Sequence, residues 1–157
     1  MSQFGNRGEG APNSVPAAMT PPPAAGYSGT PLVKKLGVKE GMRVAWLDAP
    51  DGFEALLDPL PDGLDRRTSA RGRLDLAVLF VTRRSVMARR LPALREAIRP
   101  DGTVWLAWPK KAAKVETDVT EDVVRDVALP LGLVDVKVCA IDATWSGLKL
   151  VIRKELR

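Results

Sequence analysis

The sequence predicts an α/β fold: a small three-layer sandwich with a mostly parallel sheet and a C-terminal antiparallel hairpin. Three observations carry this. The run Leu74-Asp75-Leu76-Ala77-Val78-Leu79-Phe80-Val81 is apolar almost throughout, as a strand buried on both faces requires. Segments with apolar residues at helical spacing alternate with such runs, the pattern of parallel strands joined by helical crossovers. Two strand-like runs near the C-terminus are joined by a short polar connection.

The elements follow in order. Residues 1–26 hold Pro12, Pro16 and Pro21-Pro22-Pro23 among Gly, Ala and Ser, and are expected to be a disordered tail that can serve as a Pro-rich docking segment. One domain is expected over residues 27–157. Thr30-Pro31 reads as a helix cap and first helical residue, with Gly37 ending the short helix. Arg43–Asp48 is a strand, Ala49–Gly52 a turn and Phe53–Leu57 a brief helix closed by Pro59 and Pro61. A weak strand is expected near Arg67–Ala70.

After the central run Leu74–Val81, Arg84–Ile98 places Val86, Met87, Leu91, Leu94 and Ile98 on one helical face. Pro92 predicts a kink or a split there. Pro100-Asp101-Gly102 is a turn and Thr103–Trp108 a second buried strand. Thr120 caps a helix with Glu121 and Asp122 in its first turn. Leu133–Ile141 and Gly147–Lys154 form the closing hairpin. The whole is Rossmann-like.

Composition narrows the chemistry. The chain has 157 residues, a formal charge of +5 and no histidine. Without histidine there is no Ser-His-Asp or Cys-His machinery and no His-based zinc site. The single cysteine, Cys139, cannot form an internal disulfide, and no apolar run is long enough to span a bilayer. These features predict a cytoplasmic protein. The positive charge belongs to the domain and includes the pairs Arg66-Arg67, Arg83-Arg84 and Arg89-Arg90, which would attract acidic ligands or, more weakly, nucleic acid.

Several motifs carry a resemblance. Ser28-Gly29-Thr30-Pro31-Leu32, Ala49-Pro50-Asp51-Gly52-Phe53, Trp108-Pro109-Lys110-Lys111, Leu129–Asp135 and Cys139–Asp142 with Trp145–Leu148 resemble a family of small bacterial proteins, chiefly actinobacterial, described as a domain of unknown function. That resemblance implies a fold and no activity. More loosely, Pro100–Trp105 and the closing hairpin are similar to the class I methyltransferase fold. Such enzymes hold S-adenosylmethionine with a glycine-rich loop after the first strand and an acidic residue ending the second. Here the loop is Asp48-Ala49-Pro50-Asp51-Gly52, with one glycine, and Pro50 removes a donor. The stretch from Asp48 to Leu74 is also too short for two further strands with their helices. The adenosine half of the pocket is therefore expected to be missing, and no cofactor is expected.

Ligands of open α/β sheets sit at the carboxyl ends of the strands. The candidate site residues are accordingly Asp48 and Asp51 after the first strand, Lys110 and Lys111 after Trp108-Pro109, and Asp142 with Trp145 in the hairpin connection. No metal ligands and no catalytic group stand out. The leading expectation is a non-catalytic binding or regulatory protein with an unidentified protein or small anionic partner at this rim. The alternatives are an enzyme or binding domain for a small anion, and sequence-independent nucleic-acid binding.

Overall fold

Short apolar strands leave their polar residues to the turns, and the sheet is built accordingly. The structure is a computed structural model and describes residues 30–157. The tail of residues 1–26, with the disorder expected of it, lies outside the described residues. The elements are α1 (Leu32–Leu36), β1 (Arg43–Leu47), β2 (Asp65–Arg67), β3 (Leu74–Phe80), α2 (Arg84–Ala97), β4 (Ile98–Pro109), α3 (Glu121–Ala128), β5 (Leu133–Ala140) and β6 (Trp145–Ile152). Single 3-10 turns lie at Glu54–Leu57, Lys111–Ala113, Leu129–Leu131 and Lys154–Leu156.

One six-stranded sheet runs in the order β2-β1-β3-β4-β6-β5. Strands β1, β2, β3 and β4 are parallel, while β6 pairs antiparallel with both β4 and β5. The hairpin therefore does not simply add an antiparallel edge. Its second strand inserts beside β4, which places β5 at the border, running with the parallel set. Strand order reverses direction at β1, so β1 and β3 flank the topological switch point.

The two faces are covered unequally. On one, α2 and α3 bury Met87, Leu91, Leu94, Val124 and Ala128 against Leu47, Leu79, Leu106 and Leu148. On the other, α1 and the Glu54–Leu57 turn pack Leu36, Phe53 and Leu57 against Val44, Val78, Phe80 and Trp105. The third layer is thus thin, because the chain between β1 and β2 is too short for a full crossover helix.

Local departures have local causes. Helix α1 begins one residue later than expected: Pro31, not Thr30, is the cap residue, and its carbonyl accepts from Lys34 and Lys35. The weak strand lies a little earlier, at Asp65–Arg67, because Met42 O accepts the Asp65 N–H and starts the parallel ladder there. Pro92 does not split α2, which stays one helix of 14 residues. The carbonyl that Pro92 cannot reach is that of Ala88, an exposed residue, so water can satisfy it. The turn Pro100–Gly102 is absorbed into β4 as a register jump between Leu74↔Ile98 and Leu76↔Thr103. A Cβ at Gly102 would lie 3.0 Å from the Leu74 carbonyl oxygen, so a side chain at this crossing would crowd the backbone.

Candidate functional site

The carboxyl ends of β1, β3, β4 and β5 and the first residue of β6 share one edge of the sheet, and every candidate site residue lies there. They form two groups rather than one cluster.

The first group surrounds β1. Asp48 directly follows the strand at φ 56°, and Gly52 closes the loop at φ 85°. These two left-handed positions give a sharp turn, which brings Phe53 back over the sheet. Phe53 is 2% exposed. Its ring meets Trp46 edge-on at 5.6 Å and Phe80 at 4.9 Å. Phe80 meets Trp145 at 5.0 Å, so an aromatic row runs from β1 to β6 across the switch point. Asp48 does not stand free: Arg90 of α2 donates to its carboxylate. Asp51 is exposed in the same loop.

The second group surrounds the end of β4. The Lys110 N–H donates to the Thr144 carbonyl at 2.7 Å, which locks the hairpin connection onto β4. Asp142 Oδ1 accepts from the N–H groups of Thr144 and Trp145, both at 2.8 Å. That makes Asp142 the organiser of the turn. Trp145 sits opposite Pro109 in the β4–β6 ladder. Lys110 Nζ is buried and has no hydrogen-bond partner among the described residues. Lys111 is exposed in the following 3-10 turn. Lys110, Asp142 and Trp145 are therefore brought together, whereas Asp48 and Asp51 lie across the aromatic row.

The loop after Lys114 is fastened to the residues that join β3 and α2. Thr117 Oγ1 donates to the Thr82 carbonyl at 2.7 Å. Asp118 Oδ1 accepts the Arg84 N–H at 2.7 Å, which caps α2 from outside its own segment. Phe53 ends the rim segment Asp48–Phe53 that the sequence suggests, but Phe80, Arg90 and Asp118 were missed. Those three depend on contacts far along the chain.

Charge is distributed with equal specificity. Of the six paired arginines singled out in the sequence, Arg66 bonds Glu54, Arg67 bonds Asp65 and Arg90 bonds Asp48. Half of that apparent cationic surface thus holds the fold together. Glu54 also accepts from Trp46 Nε1 at 3.2 Å. Its carboxyl is held below the usual range, first by the Arg66 hydrogen bond and then by Trp46. Among the described residues no group of three or more His, Cys, Asp or Glu side chains is placed to hold a metal, and no helix is long and apolar enough to cross a membrane.

No family model matches the chain, and no curated protein matches it. Solved structures do. A S-adenosylmethionine-dependent methyltransferase from Aquifex aeolicus is similar with a TM-score of 0.54 at 14% identity, over 77% of this chain and 88% of that one. DhpI in complex with SAH gives 0.56 at 10% identity, over 79% and 83%. The O-methyltransferase NcsB1 from neocarzinostatin biosynthesis, solved with S-adenosylmethionine and 2-hydroxy-5-methyl naphthoic acid, gives 0.55 at 13%, over 71% and 49%. The class the fold defines is therefore the methyltransferase-like Rossmann fold. This corrects the expectation of a non-catalytic binding or regulatory protein: the architecture is one that S-adenosylmethionine-dependent enzymes use.

Whether the residues fit that cofactor is a separate matter. The strand that should end in an acid, β2, ends in Arg67, and the carboxylate of Asp65 is taken by Arg43 and Arg67. Another acid beside β2, Glu54, is bonded to Arg66 and Trp46. The crevice between β1 and β3 is filled by Phe53 and Phe80. The residues present do not fit the adenosine half of S-adenosylmethionine.

Proposed function

We propose that this chain is a methyltransferase-type domain that has kept the acceptor side of its fold and holds an anionic small molecule there. The ligand meets Lys110 at the carboxyl end of β4, beside the Thr144–Trp145 turn. The observation that carries the reading is the buried, unpartnered ammonium of Lys110. A buried cation without a partner is costly, and an anion at the strand-end rim would satisfy it. The small bacterial family that its motifs resemble is consistent with this reading and adds no activity to it.

The test is a thermal-shift comparison of the parent, Lys110→Met and Lys110→Arg with small carboxylates and S-adenosylmethionine. At least one anion should raise the melting temperature of the parent and of Lys110→Arg, and leave Lys110→Met unmoved. S-adenosylmethionine alone should leave all three unchanged. A shift by S-adenosylmethionine that is equal in all three, or no shift by any anion, overturns the proposal.

A further inference from the structure

Arginine and lysine are used differently in this domain. Every ion pair among the described residues is made by an arginine, and no lysine takes part in one. Arginine's planar fork suits fixed carboxylate pairs, whereas lysine is a compact point charge on a flexible stem. Among the described residues the lysines, with arginines such as Arg71, Arg73 and Arg89, are thus cations without an ion-pair partner.

Two of the lysines face each other across the sheet away from the rim, and two more lie at the end of α1, which packs on the same face. Lys137 and Lys149 stand directly opposite each other across β5 and β6. Lys149 is also opposite Trp105 on β4. Directly opposed residues share a face, so both lysines stand on the face that carries Trp105 and α1. Trp105 Nε1 donates to the Leu36 carbonyl at 2.9 Å, which fixes the end of α1 over the same strands. Lys35 lies in that last turn, and Lys39 follows just beyond Gly37. Lys39 and Lys137 both act electrostatically on Lys149, and Lys35 and Lys137 both act on the Cys139 thiol. The four cations come from α1, the segment after it, β5 and β6.

Nothing in the fold requires this arrangement. Like charges directly opposite on neighbouring strands are destabilising. Lys149 is only part-exposed, so loss of hydration adds to the repulsion. A carboxylate or an uncharged residue at either position would relieve the strain, yet among the described residues no carboxylate is paired with any of the four. An anion lying between them would turn the repulsion into attraction.

We propose that Lys35, Lys39, Lys137 and Lys149 form a second ligand site, on the α1 face of the sheet, for a small molecule carrying two or more phosphate groups. Four ammonium groups carry more charge than one monoanion can neutralise, and linked phosphates supply several anionic groups in one molecule. The site is distinct from Lys110. Four residue steps along β4 separate the Trp105↔Lys149 pair from Pro109↔Trp145 at the rim, or about 13 Å at strand rise.

The experiment uses the full chain at low ionic strength, with inorganic phosphate, pyrophosphate and tripolyphosphate as probes in calorimetric titration and thermal unfolding. The comparison proteins are Lys137→Gln/Lys149→Gln and Lys110→Met. Pyrophosphate and tripolyphosphate should bind the parent, more tightly than phosphate does. In Lys137→Gln/Lys149→Gln the dissociation constant should rise at least about tenfold, with each lost charge-assisted hydrogen bond contributing. The ligand-free double variant should melt at or above the parent temperature, because a repulsion is gone; this separates loss of a site from loss of fold. Lys110→Met should bind the probes like the parent. No binding by the parent, equal binding by the double variant, or loss of binding only in Lys110→Met overturns the proposal. Binding of a single-stranded oligonucleotide without any response to pyrophosphate overturns the small-molecule assignment.

Discussion

The indole nitrogen of Trp105 donates a hydrogen bond to the carbonyl oxygen of Leu36 at 2.9 Å, with both residues buried. The last carbonyls of a helix have no partner within it, and a buried one must find another. Trp105 supplies that partner from β4 and fastens α1 to the sheet. Trp105→Phe keeps an aromatic ring but leaves the Leu36 carbonyl unsatisfied. The expected cost is about 1–3 kcal/mol of unfolding free energy, read from urea denaturation. An unchanged midpoint would mean that the bond does not hold α1 in place.

Helix α2 begins without a cap of its own. Its cap residue, Arg83, makes no side-chain bond, and Asp118 accepts the Arg84 N–H instead. Asp118→Ala should therefore destabilise the domain by about 1 kcal/mol. Asp118→Asn retains an acceptor oxygen and should recover most of that loss. Equal losses in the two variants would show that the negative charge near the helix end, and not the hydrogen bond, is what matters.

Much of the sheet was legible because its signals are local. The apolar run at Leu74–Phe80, Gly37 at the end of α1 and Thr120 at the start of α3 each act within a few residues, and each stands where the sequence placed it. The position of β6 was not legible, because insertion beside β4 depends on pairing far along the chain. The candidate site was legible only as a line of strand ends. Asp48 looked like a free acid, but its partner Arg90 is 42 residues away. Asp142 looked like a ligand group, but it bonds the next turn's amides. Lys110 looked like one of two equivalent lysines. Only the packing of the Thr144 turn on β4 separates it from the exposed Lys111.

Arg125 of α3 reaches Asp135 of β5 at 3.0 Å and also bonds Glu121 and Asp122 on its own helix. Its hydrogen bond to Asp135 is the main reason that this carboxyl is held below its ordinary value. A carboxyl depressed in the folded state stabilises fully above its unfolded pKa, near about 3.9, and loses that contribution as pH falls through the folded value. The difference in stability between the parent and Asp135→Asn should thus be constant from about pH 5 to pH 8 and shrink below about pH 4. Urea midpoints across that range provide the measurement. A difference that grows on acidification would show that another group dominates.

Cys139 lies half-buried on the α1 face of β5. Burial raises its thiol pKa, and the nearby Lys35 and Lys137 oppose that shift without reversing it. The thiolate is the reactive form, so alkylation by iodoacetamide at pH 8 should be markedly slower in the folded chain than in denaturant. Comparable rates in the two states would mean that the strand opens or that the lysines outweigh burial.

Phe53 decides how the switch-point crevice is filled. Its ring lies between Trp46 and Phe80, and Phe80 in turn touches Trp145, so removing it leaves a void in a continuous aromatic row. Phe53→Ala should destabilise the domain by about 3–5 kcal/mol, the range for truncating a fully buried aromatic. Phe53→Leu refills most of the volume and should cost distinctly less. The same pair of variants tests the argument against an adenosine pocket. If Phe53 is the plug, Phe53→Ala should also alter the emission of Trp46, against which the ring rests, and Phe53→Leu should do so much less. A loss below about 1 kcal/mol for Phe53→Ala would show a side chain that swings out of the crevice easily. The space between β1 and β3 would then be open to a ligand, and the incompatibility with the cofactor would rest on Arg67 and the neutralised acids alone.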